Sequence, residues 1–206
     1  MIGILDYGAG NIFSISNALK NNNLDNKIIK CEGDFKDCRK LIIPGVGAFS
    51  SAIDKLKKKN FISLINEHKN KGYDILGICL GMQILFSEGS ENGIYRKGLN
   101  FIEGKVEKLK PNNKNEKYRL PHIGWSEIII NKKFNHYFQN NKLNFYYFVH
   151  SYGCFSMDDK LEVVATCRYG STEFNCFVKK DNIYGIQFHP ERSGSTGLNL
   201  LKNLLK

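Results

Sequence analysis

A cysteine flanked by a glycine two positions to either side, Gly77-Ile78-Cys79-Leu80-Gly81, follows the run Asp74 to Ile78 and opens a helical pattern. Strand, nucleophile and helix in that order form a nucleophile elbow, a tight turn that thrusts the side chain out of the sheet's carboxyl edge. The glycines let neighbouring backbone come close. A helix N-terminus favours a thiolate through its dipole and its unpaired N–H groups. The N–H of Leu80 then falls where an oxyanion would form after attack on a carbonyl. By residue type alone, the same turn also suits a buried structural thiol.

A base for such a thiol stands near the other end of the chain. His189 follows the apolar run Ile183 to Phe188, and Glu191 lies two residues on, with Pro190 between them. In an open α/β sheet, the carboxyl ends of the strands are where ligands bind. There His189 can take the Cys79 proton and return it to a leaving amine. Glu191 can accept the other imidazole N–H and hold the tautomer. A core histidine is a second reading. Chelation of a metal by His189 and Glu191 is a third, but no further ligand is spaced for it.

These residues need a scaffold, and the first half of the chain alternates strand and helix signals. Ile2 to Leu5, Ile28-Ile29, Leu41 to Ile43 and Asp74 to Ile78 read as strands. Between them, Asn11 caps a helix whose Ile12, Ile15 and Leu19 share a face, and further helices carry Ile53 with Leu56 and Phe61 with Leu64, Ile65 and His68. Another is expected to run from Cys79 through Met82, Ile84, Leu85 and Phe86. Such alternation implies a parallel sheet with helices on both faces. The second half adds strand candidates at Val106 to Leu109, Ile128 to Ile130, Phe145 to Val149, Leu161 to Thr166, Phe174 to Val178 and Ile183 to Phe188. Pro111 to Lys117 reads as a polar surface loop, and Leu198, Leu201, Leu204 and Leu205 mark a last helix. With no repeat and no long linker, residues 1–206 read as a single α/β domain with a mixed sheet.

Composition narrows the function classes. The 206 residues carry a formal net charge of +10, but 25 of the 30 basic residues are Lys and they are scattered. Nucleic-acid faces favour clustered Arg, whose fork reads phosphate and guanine bidentately, so the charge reads as a solvated surface and no nucleic-acid partner is expected. No run approaches the ~18 apolar residues of a membrane helix, and the start lacks the basic and apolar regions of a signal peptide. The six cysteines form no C-x-x-C pair, so free thiols in a reducing cytoplasm are expected, with no metal and no cofactor.

Gly77-Ile-Cys-Leu-Gly-Met-Gln83 and His189-Pro-Glu191 resemble the two signatures of the class I, or triad, glutamine amidotransferases. In order along the chain, Asp6-Tyr-Gly-Ala-Gly-Asn11, Pro44-Gly-Val-Gly47, Pro121-His-Ile-Gly-Trp125 and Val149-His-Ser-Tyr152 are similar to the glutaminase subunits of imidazole glycerol phosphate synthases. The likeness runs from residue 2 to the last helix. It implies a flavodoxin-like, three-layer, open and mostly parallel mixed sheet flanked by helices, with the elbow at Cys79.

The resemblance also implies roles. Cys79, His189 and Glu191 would be the catalytic triad, and backbone N–H groups of Val46 and Gly47 would complete the oxyanion hole opposite Leu80. Gln83, Ser151 and Tyr152 would bind L-glutamine. Asn11, Pro121, Ile123 and Trp125 would meet the cyclase subunit that receives the ammonia. Each has a plainer reading: Gln83 solvating its helix, or Tyr152 and Trp125 in the core. Ser126 stands where the family most often has Asn. A (β/α)₈ cyclase needs about 250 residues of its own, so the acceptor is expected on a separate chain. The same glutaminase chemistry serving a sugar amidotransferase of surface glycans is the nearest alternative, and a non-catalytic scaffold subunit is one of another class.

Overall fold

The computed structural model describes residues 1–91, 94–111, 118–139, 141 and 143–206, so most of the polar stretch 111–117 lies outside the described residues. The first half winds as β1 (Ile2–Leu5), α1 (Ile12–Asn21), β2 (Asn26–Ile29), β3 (Lys40–Ile43), α2 (Phe49–Lys58), α3 (Phe61–Asn70) and β4 (Asp74–Ile78). Side chains alternate across these strands. Ile42, Leu76 and Ile78 join a core with Ile15 and Leu19 of α1, whereas Leu41, Ile43 and Ile75 join another with Ile53, Leu56 and Ile65. A period of two that feeds two separate cores makes three layers, helix on sheet on helix.

A one-turn helix α4 (Leu80–Gln83) follows β4, and the remaining chain is mostly strand. The strands are β5 (Phe86–Glu91), β6 (Ile94–Lys97), β7 (Ile102–Lys108), β8 (His122–Ile130), β9 (Phe145–His150), β10 (Tyr152–Ser156), β11 (Glu162–Tyr169), β12 (Thr172–Lys180) and β13 (Ile183–Ile186). The closing helix, α5 (Gly194–Leu205), packs on α1 and buries Leu200, Leu201, Leu204 and Leu205, roughly 1.5–3 kcal/mol each.

The sheet runs β2-β1-β3-β4-β13-β12-β10-β7-β5-β6, with β11 joining β12 to β8, and β8 paired with β9. The first five strands in that order are parallel throughout, the flavodoxin-like part. Beyond β13 every pairing is antiparallel except β5 on β7, so the parallel character is confined to one half.

One expectation needs correction. The helix after Cys79 stops at Gln83, and Phe86 already belongs to β5. The N–H of Leu85 tightens onto Met82 O at 3.1 Å, and its carbonyl accepts from Phe101 and Ile102 at 2.9 and 3.1 Å, which draws the chain into the sheet. One turn supplies free N–H groups but little macrodipole, so the dipole argument for the thiolate loses most of its force.

Candidate active site

Cys79 sits between β4 and α4 at φ 55° and ψ −112°, a conformation that costs a non-glycine residue about 1–3 kcal/mol. Its N–H donates to Ile186 O of β13 at 2.7 Å, so the turn is pinned to the neighbouring strand. Glycine makes the turn possible. A Cβ on Gly77 would lie 2.5 Å from Gly81 O, and one on Gly81 would lie 1.8 Å from Ile43 O.

The loop Pro44–Gly47 leaves β3 and packs onto this elbow. Tyr7 donates its hydroxyl to Pro44 O at 2.7 Å, and a Cβ on Gly45 would lie 2.8 Å from both Leu80 Cβ and the Tyr7 hydroxyl. Burial and the neighbouring Cys79 keep the Tyr7 phenol protonated well above its usual range, so it remains a donor. The root of the loop is therefore fixed, while Val46 and Gly47 stay exposed at its tip beside Leu80.

His189 arrives from the other side. Its N–H donates to Tyr147 O at 2.9 Å, and its carbonyl accepts from Ser193 Oγ at 2.7 Å. Nδ1 lies 2.8 Å from Glu191 Oε1, and both side chains are almost completely buried. Burial works against a charged imidazole here, but hydrogen bonding and charge from Cys79 and Glu191 outweigh it and raise His189 to about 10. Among the described residues Nε2 has no partner of hydrogen-bonding geometry, although the thiol is near enough to act on the ring.

Seven of the expected residues line one cavity of about 190 Å³: Val46, Gly47, Cys79, Leu80, Gln83, Ser151 and Tyr152. Gln83 commits both amide N–H groups to the protein, one to Tyr152 O and one to Gln187 Oε1, each at 3.1 Å. What it can offer a ligand is therefore the acceptor Oε1. Larger depressions of about 650 and 750 Å³ exist elsewhere, and neither is lined by a cysteine.

Sequence reasoning missed part of the wall and its support. Glu91 and His150 line the same cavity, and Gln187 lies beneath it, fully buried. Glu91 sits in the polar run Ser87–Glu91, which offers no period to read. Its carboxylate also accepts from Phe49 N, the first residue of α2, at 2.8 Å. Burial holds His150 low, at about 3, with Nδ1 2.8 Å from Tyr152 O, so it faces the cavity as a neutral ring.

The residues expected at a partner surface do not touch this cavity. Asn11 accepts from Ser14 N at 3.2 Å and caps α1. Ile123 and Trp125 stand on one face of β8, 60% and 54% exposed, so Trp125 is not a core residue. Pro121 follows a cis peptide bond and is also exposed. Among the described residues no cluster of His, Cys, Asp and Glu could hold a metal ion, and no helix is long and apolar enough to cross a membrane.

A parallel sheet that presents a strained cysteine at one strand end and a His-Glu pair at the next defines a class, and comparison gives it a name. The model of the class-I glutamine amidotransferase family matches residues 3–206, and the chain belongs to that family. Within it, the chain is 41% identical to the imidazole glycerol phosphate synthase subunit HisH of Leptospira borgpetersenii, over 98% of both chains. It is 43% identical to the subunit of that name from Caldanaerobacter subterraneus, covering 98% of this chain and 96% of the other. A solved glutamine amidotransferase aligns over 100% of this chain and 99% of its own with a TM-score of 0.72 at 18% identity. A chain of the Thermotoga maritima PurLQS structure does so over 99% and 96% with a TM-score of 0.73 at 21%, and both show the fold.

Proposed function

We propose that the chain is the glutaminase subunit of an imidazole glycerol phosphate synthase, releasing ammonia from L-glutamine for a separate cyclase in histidine biosynthesis. The observation that carries the chemistry is Cys79 at a strained turn, tied through Ile186 to the strand that leads to His189 and Glu191. Residues 1–206 act as one amidotransferase domain, in the cytoplasm and without nucleic acid, membrane or cofactor.

The steps follow from the groups in place. A proton taken from Cys79 stays on His189 at neutral pH, because the imidazole holds it up to about pH 10. The sulfur attacks the side-chain amide carbon of glutamine, and the resulting oxyanion meets the N–H of Leu80 and of the Val46–Gly47 tip. His189 passes its proton to the departing nitrogen, ammonia leaves, and a glutamyl thioester remains. Water then gives a proton to His189 and its oxygen to the thioester carbon, freeing glutamate and the thiolate. Glu91, an acidic side chain on the cavity wall, suits the α-ammonium of the substrate, with Gln83 Oε1 as a second acceptor and Ser151 and Tyr152 closing the opposite side.

Complementation tests the pathway. A histidine auxotroph lacking its own glutaminase subunit is expected to grow when this chain is expressed. Failure to grow, with active soluble protein present, would point instead to ammonia supply for a sugar amidotransferase.

A further inference from the structure

We propose that Gln187 is a positioning residue for the nucleophile, its side-chain amide donating to Sγ of Cys79 while its carbonyl oxygen ties that sulfur to Gln83 on the cavity wall. Gln187 is fully buried, yet it is neither on the wall of the cavity nor in the triad. A primary amide in such a place must have its groups satisfied, since burying one without a partner costs about 1–3 kcal/mol.

Its orientation is fixed by what surrounds it. Oε1 receives the Gln83 amide N–H at 3.1 Å and the Cys154 thiol at 3.9 Å. Cys154 has an S–H to give, because burial, helped by the nearby Cys79, keeps its thiol protonated far above the usual range. Gln83 is fixed too, since its other N–H goes to Tyr152 O. With two donors aimed at Oε1, the Gln187 amide nitrogen has to face the other way. It does so toward Cys79, with Nε2 3.8 Å from Sγ.

A donor on sulfur favours the thiolate over the thiol, because a hydrogen bond to an ionised acceptor is roughly twice as strong as one to a neutral acceptor. This fills a gap left by α4, whose single turn offers little dipole. The chain Tyr152 O, Gln83, Gln187, Cys79 Sγ also connects the wall that takes the substrate to the atom that attacks it. Substrate held by Gln83 thus steadies the sulfur through one shared amide.

The inference rests on Cys79 being the nucleophile, and the experiment keeps the two apart. Alkylation of Cys79 by iodoacetamide is followed by peptide mass spectrometry against pH in the full chain, unaltered and as Gln187→Met. The variant is expected to react about tenfold more slowly near neutral pH and to converge with the unaltered chain at alkaline pH, a change that packing alone does not produce. With the acceptor subunit present, kcat is expected to fall by about tenfold while KM moves less than about threefold. Where Gln187→Met does not fold, Gln187→Asn, which withdraws the amide by one methylene, is read in the same way. Identical alkylation profiles in a folded variant overturn the proposal. An unaltered chain whose Cys79 does not react at all sinks the nucleophile assignment instead.

Discussion

Nδ1 of His189 and Oε1 of Glu191 lie 2.8 Å apart in a pocket that nearly excludes water from both side chains. With Cys79 they hold the imidazolium to about pH 10, against an ordinary histidine value near 6.5. A folded-state value above the unfolded one stabilises the protein fully below about pH 6.5, and that contribution fades as pH rises toward 10. The stability gap between the unaltered chain and Glu191→Gln is therefore expected to narrow across that window. Urea unfolding at pH 6, 8 and 10 checks it, and a gap that stays constant or widens contradicts the ion pair.

In the proposed reaction Glu191 acts through His189. Replacing it with Gln keeps the shape but removes the charge that fixes the imidazole N–H, as an uncharged orienting residue does in other triads. Glutamate release, measured with the acceptor subunit, is expected to fall by about 10²–10⁴ in kcat with a small change in KM. Near-normal turnover would remove Glu191 from the triad.

The nucleophile has a stricter signature. Cys79→Ala is expected to abolish glutamate release while leaving the fold intact, because the side chain is small and only one sulfur is lost. A glutamine-derived electrophile should add one adduct to Cys79 of the unaltered chain. Persistent turnover in the alanine variant would sink the assignment of Cys79 to the triad.

Backbone clearance gives a test of the elbow that is independent of activity. Gly81→Ala would drive a methyl group to 1.8 Å from Ile43 O, a contact with main chain that cannot swing aside. Roughly 3 kcal/mol of destabilisation, or failure to fold, is expected. Thermal melting close to that of the unaltered chain would mean that α4 and the end of β3 can separate.

Trp125 separates a partner surface from a packing role. It is 54% exposed and meets Tyr147 edge-on at 6.2 Å. Trp125→Ala is expected to change stability by less than about 1 kcal/mol while weakening association with the acceptor subunit by about 2 kcal/mol or more, the loss typical of an aromatic anchor. Calorimetric titration against the candidate cyclase measures it, and unchanged affinity would place the contact elsewhere.

The parallel half of the fold was legible because each of its strands carries a short apolar run and its helices repeat at 3.6 residues. Cys79 and His189 could be placed because each ends such a run. The antiparallel half was less so. After Phe86, β5 is polar and mostly part-buried, and β6 is exposed throughout, so neither shows the alternation of a half-buried strand. α4 looked longer because Ile84, Leu85 and Phe86 are apolar, but each is buried by the sheet instead. Glu91 and Gln187 were invisible for a different reason: their roles come from partners distant in sequence, Phe49 for one and Cys79 with Gln83 for the other.

β13 pairs with β4 in parallel, Ile186 opposite Ile78, and with β12 antiparallel on its other side. Cys79 and His189 are more than a hundred positions apart in the chain, yet a four-rung ladder sets the distance between them. A slip of one rung would carry His189 about 3.3 Å along the strand and turn successive side chains to the opposite face. Away from the cavity residues Leu80, Gln83, Glu91 and His150 to Tyr152, and the close-packed Gly81, the chain between residues 79 and 183 can vary in length and sequence as long as it returns to that ladder in phase. The loops enclosed between Cys79 and His189 are thus where a change of acceptor enzyme could be accommodated without disturbing the cavity between them.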